Sequence, residues 1–386
     1  STALVWIVVP GVDLFYPRMT KRKNALVLLW LSLMTVAVTS VQVLFFFFVS
    51  LSGPSFIGNF AHIFTINVLD EPALGTARVP DIVFYIFQLM FPTIATTIVI
   101  GAASERGRIW STIVFAFVWS TLVYDFVACW TWSPDGWAAT LGTLDHAGGT
   151  PVHIAAGTSA FAYSLVLGKR APVTHGEQNR PHNLDNLFIG TTLPWFGFNG
   201  GSGLTVGIRA ALVGVVTNLA AFTGAFTWCM LDYFLLKPKH KITLFGFCMG
   251  SMAGLVCITP GSGYINVPAS AFFGSISVYF DRKIKTLFKI DDPFDIFAQH
   301  RIGGFVGPLD QITIVDGWLY GTWIQVVQQL ALASAGFAGN FVVTLIILLV
   351  MNEIPSLKLR ASTDGETQGI DYDQFNEYTN DYIEYL

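Results

Sequence analysis

Long apolar segments, separated by short polar ones, recur along almost the whole chain. An α-helix needs about 20 apolar residues to cross the hydrocarbon core of a bilayer, and it satisfies its own backbone N–H and C=O groups there. The pattern therefore predicts a bundle of membrane-spanning helices. The predicted spans are 3–15, 24–49, 81–103, 109–129, 151–168, 184–201, 207–236, 242–258, 264–281, 296–321 and 323–351.

Basic residues between these segments indicate how many spans there are and which way they run. Most Lys and Arg residues cluster, and such clusters mark the cytoplasmic face of a membrane protein. Two clusters on one face must be separated by an even number of spans, so parity requires the weakly apolar segment 296–321 to cross as well. With one span before the first cluster, we predict eleven spans, an outer amino terminus and an inner carboxyl terminus. The clusters are 18–23, 106–108, 169–180, 237–241, 282–289 and 358–360.

A similarity between two parts of the sequence indicates an internal repeat. Asp145 stands eight residues before His153, and Asp292 stands eight residues before His300. Each histidine falls in the fifth span of a set of five and is soon followed by a glycine. Because five is odd, the second set must cross the membrane in the opposite sense, which is the inverted-repeat architecture of many transporters.

These patterns predict an all-α polytopic membrane protein of eleven transmembrane helices. Two inverted five-helix repeats, at about 1–170 and about 184–321, precede a final long helix at 323–351, and together they form a transmembrane domain over 1–355. The polar, acidic and tyrosine-rich segment 356–386 is predicted to be a flexible or docked cytosolic C-terminal region. The apolar start of the chain has no signal-peptide pattern and resembles a helix that lacks its polar leader.

Composition agrees with a membrane protein and argues against other classes. Hydrophobic residues make up 53% of the chain, and the 12% of charged residues is well below the roughly 25% of soluble domains. The four cysteines lack metal or redox spacing and are expected to be small buried hydrophobic residues. No nucleophile–base pair, metal cluster or phosphate loop has usable spacing. We therefore expect no enzyme activity, no cofactor, no metal site and no nucleic-acid partner.

The two histidines are the first candidates for chemistry. Ionisable residues inside a membrane are costly, and they usually face an interior path or each other. His153 and His300 are either unrelated histidines satisfied by backbone carbonyls or a pair that meets at the axis between the repeats. Neutral imidazoles pair readily, one ring donating N–H and the other accepting, and their chemistry suits proton exchange with a weak base.

Aromatic and glycine-rich strings supply further candidates. Trp132 lies before an outer loop, either as a membrane-interface anchor or in a cation–π cup for a small cation. Asp145 is either the N-cap of a span or an electrostatic support for that cation, and both roles are compatible. In the string that begins at Trp195, Phe198 either packs in the core or plugs a narrow path, and Ser202 offers a hydroxyl at its outer end.

Together these strings resemble the Amt/Mep/Rh ammonium transporters, and especially the fungal Mep branch. The matching strings follow in the family's order over nearly the whole chain, and the set is far more specific than any one member. They are Phe15-Tyr16 before Arg22-Lys-Asn-Ala-Leu, Phe87-Gln-x-x-Phe91, Gly101-Ala-x-x-Glu105-Arg106, Trp132, Asp145-x-Ala-Gly-Gly-Thr-Pro-Val-His153, Trp195-Phe-Gly-Phe198-Asn-Gly-Gly-Ser202, Asp-Asp-Pro-Phe-Asp-Ile-Phe-Ala-Gln-His300 and Ile354-Pro-Ser-Leu-Lys-Leu-Arg360.

The resemblance implies a multi-pass plasma-membrane protein that assembles as a homotrimer in the lipid bilayer, with one pore in each protomer. It implies transport of ammonium or ammonia, with methylammonium as an analogue, and we favour a proton relay through the histidines. The outer ammonium recruitment site would comprise Phe91, Trp132 and Ser202, supported by Asp145. The pore and its gate would comprise the stacked rings Phe87 and Phe198, the twin histidines His153 and His300, and Trp195.

One departure from the family pattern keeps other functions open. Arg301 follows the second histidine directly, where the family usually has glycine. A guanidinium beside the pore would be costly unless it is paired, and it could repel a cation. An alternative function is therefore an ammonium sensor, or transceptor, that couples occupancy to the C-terminal region with little or no flux. A channel for another neutral solute is a third hypothesis, against which the aromatic cup at Trp132 argues.

Overall fold

The computed structural model describes residues 2–46, 56–60, 62–73, 76, 78–171, 194–235, 241–288, 291–307 and 323–377, most of which are helical. The α-helices are α1 Thr2–Trp6, α2 Val8–Met19, α3 Ala25–Phe46, α4 Asp81–Gln88, α5 Met90–Ile100, α6 Ile109–Trp119, α7 Asp125–Trp132, α8 Trp137–Leu141, α9 Ala155–Leu167, α10 Trp195–Ser202, α11 Ile208–Leu235, α12 Leu244–Ile258, α13 Val267–Phe288, α14 Gly303–Val306, α15 Ile324–Glu353, α16 Thr363–Gln368 and α17 Ile370–Phe375. Within these ranges β-pairing is confined to isolated bridges.

Shorter helical segments connect several of these helices. The 3₁₀ turns are Arg22–Asn24, Ile63–Thr65, Gly101–Ala103 and Pro355–Leu357, and π-helical segments occur at Ser120–Tyr124, Gly149–Ile154 and Phe297–Ile302. A π-helical segment inserts a residue into the helix and turns the side chains that follow it. Two of the three π-helical segments contain the predicted pore histidines, His153 and His300.

The apolar helices follow the predicted spans closely wherever the chain is described. Five stretches are long and apolar enough to cross a membrane, and two shorter apolar helices, Thr2–Pro17 and Leu244–Ile258, accompany them. Residues 184–193 and 308–321, which belong to two predicted spans, lie outside the described residues. The total of eleven spans and their direction therefore stay predictions. The five stretches are Arg22–Phe46, Asp81–Ala103, Ile109–Leu141, Ile208–Leu235 and Ile324–Glu353.

Small residues bring the helices of the second half close together. A methyl group at Gly254 would collide with the Ala220 carbonyl, and one at Gly250 would collide with the Gly224 carbonyl. Without a side chain at these points, α11 and α12 pack backbone against backbone, as membrane helices do where lipid supplies no hydrophobic drive for association. The four cysteines are buried thiols, as the sequence predicts.

The C-terminal region is docked against the helical bundle as far as it is described. Arg108 N–H donates to the Leu359 carbonyl, and Ala361 N–H donates to the Arg106 carbonyl. The Asp371 carboxyl accepts hydrogen bonds from the backbone N–H groups of Leu26 and Val27, at 2.9 and 2.8 Å. Asp371 thus caps the first turn of α3 from a distant part of the sequence, where the helix leaves its N–H groups without internal partners.

Candidate functional site

Each candidate pore histidine lies in a π-helical segment that an aspartate precedes by four or five residues. The Asp145 carboxyl accepts hydrogen bonds from Gly148, Gly149 and Thr150 N–H at 2.7–2.8 Å, just ahead of His153. The Asp292 carboxyl accepts one from Phe297 N–H at 2.7 Å, ahead of His300. These carboxyls satisfy the free N–H groups at the start of each segment. The eight-residue spacing from aspartate to histidine in the sequence is therefore the distance from a capping carboxyl to a residue of the helix that it caps. It occurs twice in the chain.

A glycine four residues after each histidine brings the two segments together. A methyl group at Gly157, four residues after His153, would overlap the backbone nitrogen of Arg301. A methyl group at Gly304, four residues after His300, would crowd the Gly149 carbonyl and the His153 side chain. Each histidine-bearing segment therefore packs directly against the backbone of the other, and both histidines end in one place.

The two imidazoles are in direct contact. Their Nδ1 atoms lie 3.1 Å apart, and their ring centroids lie 5.2 Å apart at an interplanar angle of 28°. One Nδ1 must carry the shared proton and the other must accept it, since two lone pairs would repel. His300 Nε2 lies 3.3 Å from the Tyr16 hydroxyl, whereas His153 Nε2 is buried and has no hydrogen-bond partner. His153 thus presents a free ring nitrogen.

That nitrogen belongs to a side chain that lines an internal cavity. The cavity wall is mostly apolar, with polar atoms only on the two imidazoles, the Tyr16 hydroxyl and the Trp195 indole. Such a space favours a small neutral solute over a hydrated ion. The lining residues are Val8, Val12, Phe15, Tyr16, Ile94, Ile98, His153, Trp195, Phe198, Met252 and His300.

Two aromatic residues that line the cavity, Trp195 and Phe198, stack on neighbouring rings. Trp195 stacks on His153 at 5.5 Å, and Phe198 stacks on Phe91 at 4.7 Å. The structure differs here from the predicted stack of Phe87 on Phe198, because the ring against Phe198 is Phe91. Phe87 lies one helical turn before Phe91 and contacts that ring at 5.2 Å. Residues four apart share a face of a helix, so Phe91 takes the position at the level of Phe198 and Phe87 packs behind it.

Trp132 extends this row of rings. Its ring meets Phe91 edge to face at 5.4 Å, and its indole N–H donates to the Asp145 carbonyl at 3.0 Å. Asp145 therefore positions Trp132 through its backbone while its carboxyl caps the histidine segment. The Ser202 hydroxyl, one turn beyond Phe198, donates to the Phe198 carbonyl at 2.7 Å. Its oxygen retains a lone pair that can accept a further hydrogen bond.

Arg301 does not line the cavity. Its guanidinium carbon lies 5.0 Å from the centroid of the Phe297 ring and 4.2 Å from that of Phe337, a residue of α15. Two aromatic rings hold the cation by cation–π attraction. The guanidinium is thus paired with aromatic rings, which is the condition under which such a charge is tolerated in a membrane protein.

Tyr16 is a site residue that the sequence analysis did not single out. Its hydroxyl approaches His300, and its ring stacks on Phe294 at 4.8 Å. The only signal in the sequence was weak: Tyr16 has a hydroxyl directly after the first apolar segment. Only the fold brings it to a histidine 284 residues later in the chain.

The family model described as "Ammonium Transporter Family" matches residues 1–380. The chain belongs to the ammonium transporter family. Its relatives include Ammonium transporter 1 of Schizosaccharomyces pombe, which is 41% identical over 98% of this chain and 80% of that protein. Ammonium transporter MEP2 of Saccharomyces cerevisiae is 38% identical, over 98% of this chain and 81% of that protein.

Solved structures of ammonium transporter family members have the same fold. Candida albicans Mep2 matches with a TM-score of 0.87 and 39% identity, over 99% of this chain and 91% of that one. Saccharomyces cerevisiae Mep2 matches with a TM-score of 0.86 and 37% identity, over 94% of this chain and 86% of that one. The chain is thus an all-helical membrane protein of the Mep type.

Proposed function

We propose that the chain is an ammonium transporter that recruits ammonium at an outer aromatic site, removes its proton and conducts ammonia past the paired histidines. The observation that carries the proposal is the 3.1 Å contact between His153 Nδ1 and His300 Nδ1, in an apolar cavity beneath stacked rings. Family membership and the names of the relatives support the same substrate.

Recruitment depends on replacing part of the ion's water shell. Ammonium is strongly hydrated, and an apolar path would make it lose that hydration without compensation. In the proposal, Trp132 and Phe91 supply ring faces and edges to the cation, and the Ser202 oxygen accepts an N–H bond. Asp145 supports the site by holding the Trp132 indole at its carbonyl. The bound ion then gives a proton to solvent water, and neutral ammonia passes the rings of Phe91 and Phe198, behind which Phe87 packs.

The histidine pair gives ammonia polar contacts inside the cavity. When His300 Nδ1 donates the shared proton, His153 Nε2 carries a hydrogen and donates to ammonia. When His153 Nδ1 donates instead, its Nε2 has a lone pair and accepts from ammonia. To interchange the two arrangements, a proton must leave the Nε2 atom of one ring and another proton must bind the Nε2 atom of the other ring, so that one proton crosses the pair. For this reason we favour electrogenic transport. Trp195 stacks on His153 and keeps that ring in place.

The assembly follows the family resemblance. We propose eleven spans with an outer amino terminus and an inner carboxyl terminus, and two inverted five-helix repeats over about 1–170 and 184–321. The homotrimer lies in the plasma membrane, with one pore in each protomer. The matched caps at Asp145 and Asp292 and the reciprocal glycines support the repeat, and the Mep2 structures are consistent with this assembly.

Purified protein in liposomes tests the proposal. Radiolabelled methylammonium uptake and ammonium-induced current are measured for the wild type and for the double variant His153→Ala, His300→Ala. We expect uptake and current in the wild type, and loss of the proton-coupled current in the double variant.

The matched control is His62→Ala, a histidine in the loop before α4, which should leave current and uptake unchanged. Current equal to the wild type in the double variant would remove the histidines from the mechanism. Ligand binding by the wild type without uptake would favour the sensor instead.

A further inference from the structure

A buried carboxyl group that takes no part in the proposed pathway lies in the first half of the chain. Asp125 is the first residue of α7, directly after the π-helical segment Ser120–Tyr124, and only 1% of its surface is exposed. It belongs to the stretch Ile109–Leu141, which is long and apolar enough to span a membrane. An ionised carboxylate at such a depth is costly unless a cation pairs with it.

No cation pairs with Asp125 among the described residues. The ion pairs of Glu105, Asp232, Asp291 and Glu366 do not involve it. The titratable side chains nearest in sequence are those of Tyr124 and Cys129, which are neutral acids and offer no positive charge. The site therefore lacks the counter-charge that a carboxylate would need.

The partner of Asp125 is an uncharged amide on another helix. Gln42 of α3 is completely buried, and its Nε2 donates to Asp125 Oδ2 at 2.7 Å. The other amide atom, Gln42 Oε1, is buried and accepts no hydrogen bond. A carboxylate has only acceptors, so an ionised Asp125 would leave that amide oxygen unsatisfied. A protonated Asp125 has an O–H group, and an acid and an amide can then exchange two hydrogen bonds.

The same face of α3 makes a second polar contact one turn away. Thr39 Oγ1 lies 2.7 Å from Thr93 Oγ1 of α5. α5 carries Phe91, and α7 ends at Trp132, two turns beyond Asp125. α3 therefore holds both of the helices whose rings meet edge to face in the aromatic row.

We propose that Asp125 permanently holds a proton and forms a neutral acid–amide pair with Gln42, and that this pair positions Trp132 by fixing α7 against α3. Asp125 and Gln42 are positioning residues and do not contact the transported solute. The ligand of the site is a single proton, which replaces the missing cation. The link to Trp132 rests on the proposed transport function, whereas the bound proton does not.

Infrared spectroscopy tests the proton directly. The difference spectrum between wild-type protein and Asp125→Asn in detergent is recorded at pH 7 and pH 8, in H₂O and D₂O. We expect a carboxylic-acid C=O band in the wild type that Asp125→Asn removes, that persists at both pH values and that shifts in D₂O. A carboxylate band at this position, or no difference in the acid region, overturns the proposal.

A double-mutant cycle tests the pair. Gln42→Leu and Asp125→Leu each leave one buried polar partner unsatisfied, so each should lower the melting temperature of the purified protein. The double variant replaces both partners with apolar groups, a change that is nearly neutral, so it should melt above either single variant. Additive losses would overturn the pairing.

Transport kinetics test the positioning role. Gln42→Leu should raise the KM for methylammonium by about fivefold, the equivalent of one net hydrogen bond of ~1 kcal/mol, with a smaller change in kcat. Trp132→Leu gives the reference phenotype for a damaged recruitment site. Asp125→Asn keeps a neutral hydrogen-bonding side chain and should retain a KM near the wild type.

A KM in Asp125→Asn as high as in Gln42→Leu would show that the carboxylate charge matters, and would overturn the proposal. Absence of uptake by the wild type would refute the transport function instead, while the infrared band would still report the proton.

Discussion

At His153 and His300, one shared proton couples the hydrogen-bonding character of two rings. The Nδ1 atoms are 3.1 Å apart, so a change of donor on one ring requires a change of acceptor on the other. The Tyr16 hydroxyl beside His300 Nε2 either donates or accepts, and it satisfies that ring in both states. Of the four ring nitrogens of the pair, only His153 Nε2 lacks a protein partner. A solute bound at this atom would meet a donor in one state of the pair and an acceptor in the other.

Arg301→Gly is predicted to leave transport unchanged, because the guanidinium is held between the Phe297 and Phe337 rings and not in the cavity. The same change should destabilise the protein, since each cation–π contact contributes roughly 0.5–1 kcal/mol. Methylammonium uptake and the melting temperature of the purified protein check the two effects. Arg301→Lys, which keeps a cation, is the control and should melt closer to the wild type. A severalfold rise in uptake for Arg301→Gly would show that the Arg301 charge does obstruct the transport path.

At the scale of the element, the capping aspartates account for the position of the histidines. Asp292→Ala should destabilise the protein by about 1 kcal/mol, the usual effect of losing a helix cap, and should lower methylammonium uptake because His300 follows directly. Thermal melting and liposome uptake measure both. Asp135→Ala, in the exposed loop after α7, is the matched control and should change neither. Equal effects of the two substitutions would mean that the cap does not position His300.

The helices themselves were largely predictable from sequence, because apolar length is what a bilayer requires of a span. The predicted spans at 24–49, 81–103, 207–236 and 323–351 agree with the structure to within a few residues. The meeting of the histidines also followed from the repeated spacing to aspartate. The π-helical segments were not predictable, because they arise where tertiary packing displaces one residue from the α-helical pattern.

Pairings between distant side chains were harder to predict than the helices. Phe87 and Phe91 are four residues apart and lie on the same helix face. Which of the two rings contacts Phe198 depends on how α10 is positioned along that face. The direction of Arg301 depends on Phe337, which lies in another helix. The contact of Asp125 with Gln42 joins residues 83 positions apart, and nothing in the local sequence of either one marks it.

At the scale of the whole molecule, the docked C-terminal region joins the start of α3 to the turn between α5 and α6. Its attachment uses the main chain of Arg106 and Arg108 and the side chain of Asp371. The Gln374 amide oxygen adds a bond from Ile109 N–H at 2.7 Å. A change in this region is therefore mechanically connected to the helices that carry the aromatic row.

Docking of this region is predicted to depend on pH. Burial raises the pKa of Asp371 to about 6, against the backbone N–H bonds that lower it. The docked carboxyl thus binds its proton more tightly than a solvent-exposed one, and docking should strengthen as the pH falls through about 6. Hydrogen exchange of the amides in 362–375, corrected for intrinsic rates, should show greater protection at pH 5.5 than at pH 7.5.

The control for this prediction is Asp371→Asn, which keeps the hydrogen-bonding shape without the titration. Its protection should vary little between the two pH values. Weaker protection of the wild type at the lower pH would contradict the prediction, since it would mean that the capping bonds to Leu26 and Val27 outweigh burial.

Gly157 and Gly304 have a consequence for how the distance between the imidazoles is maintained. At each glycine the main chain packs directly against the main chain of the opposite half. The distance between the imidazoles is therefore set by backbone groups, which have no rotamers to change. Thermal motion of side chains therefore leaves the width of the passage unchanged. Only a rigid displacement of one half relative to the other would widen it. A single methyl group added at either glycine would push the two segments apart. It would thereby widen the passage without contacting the solute.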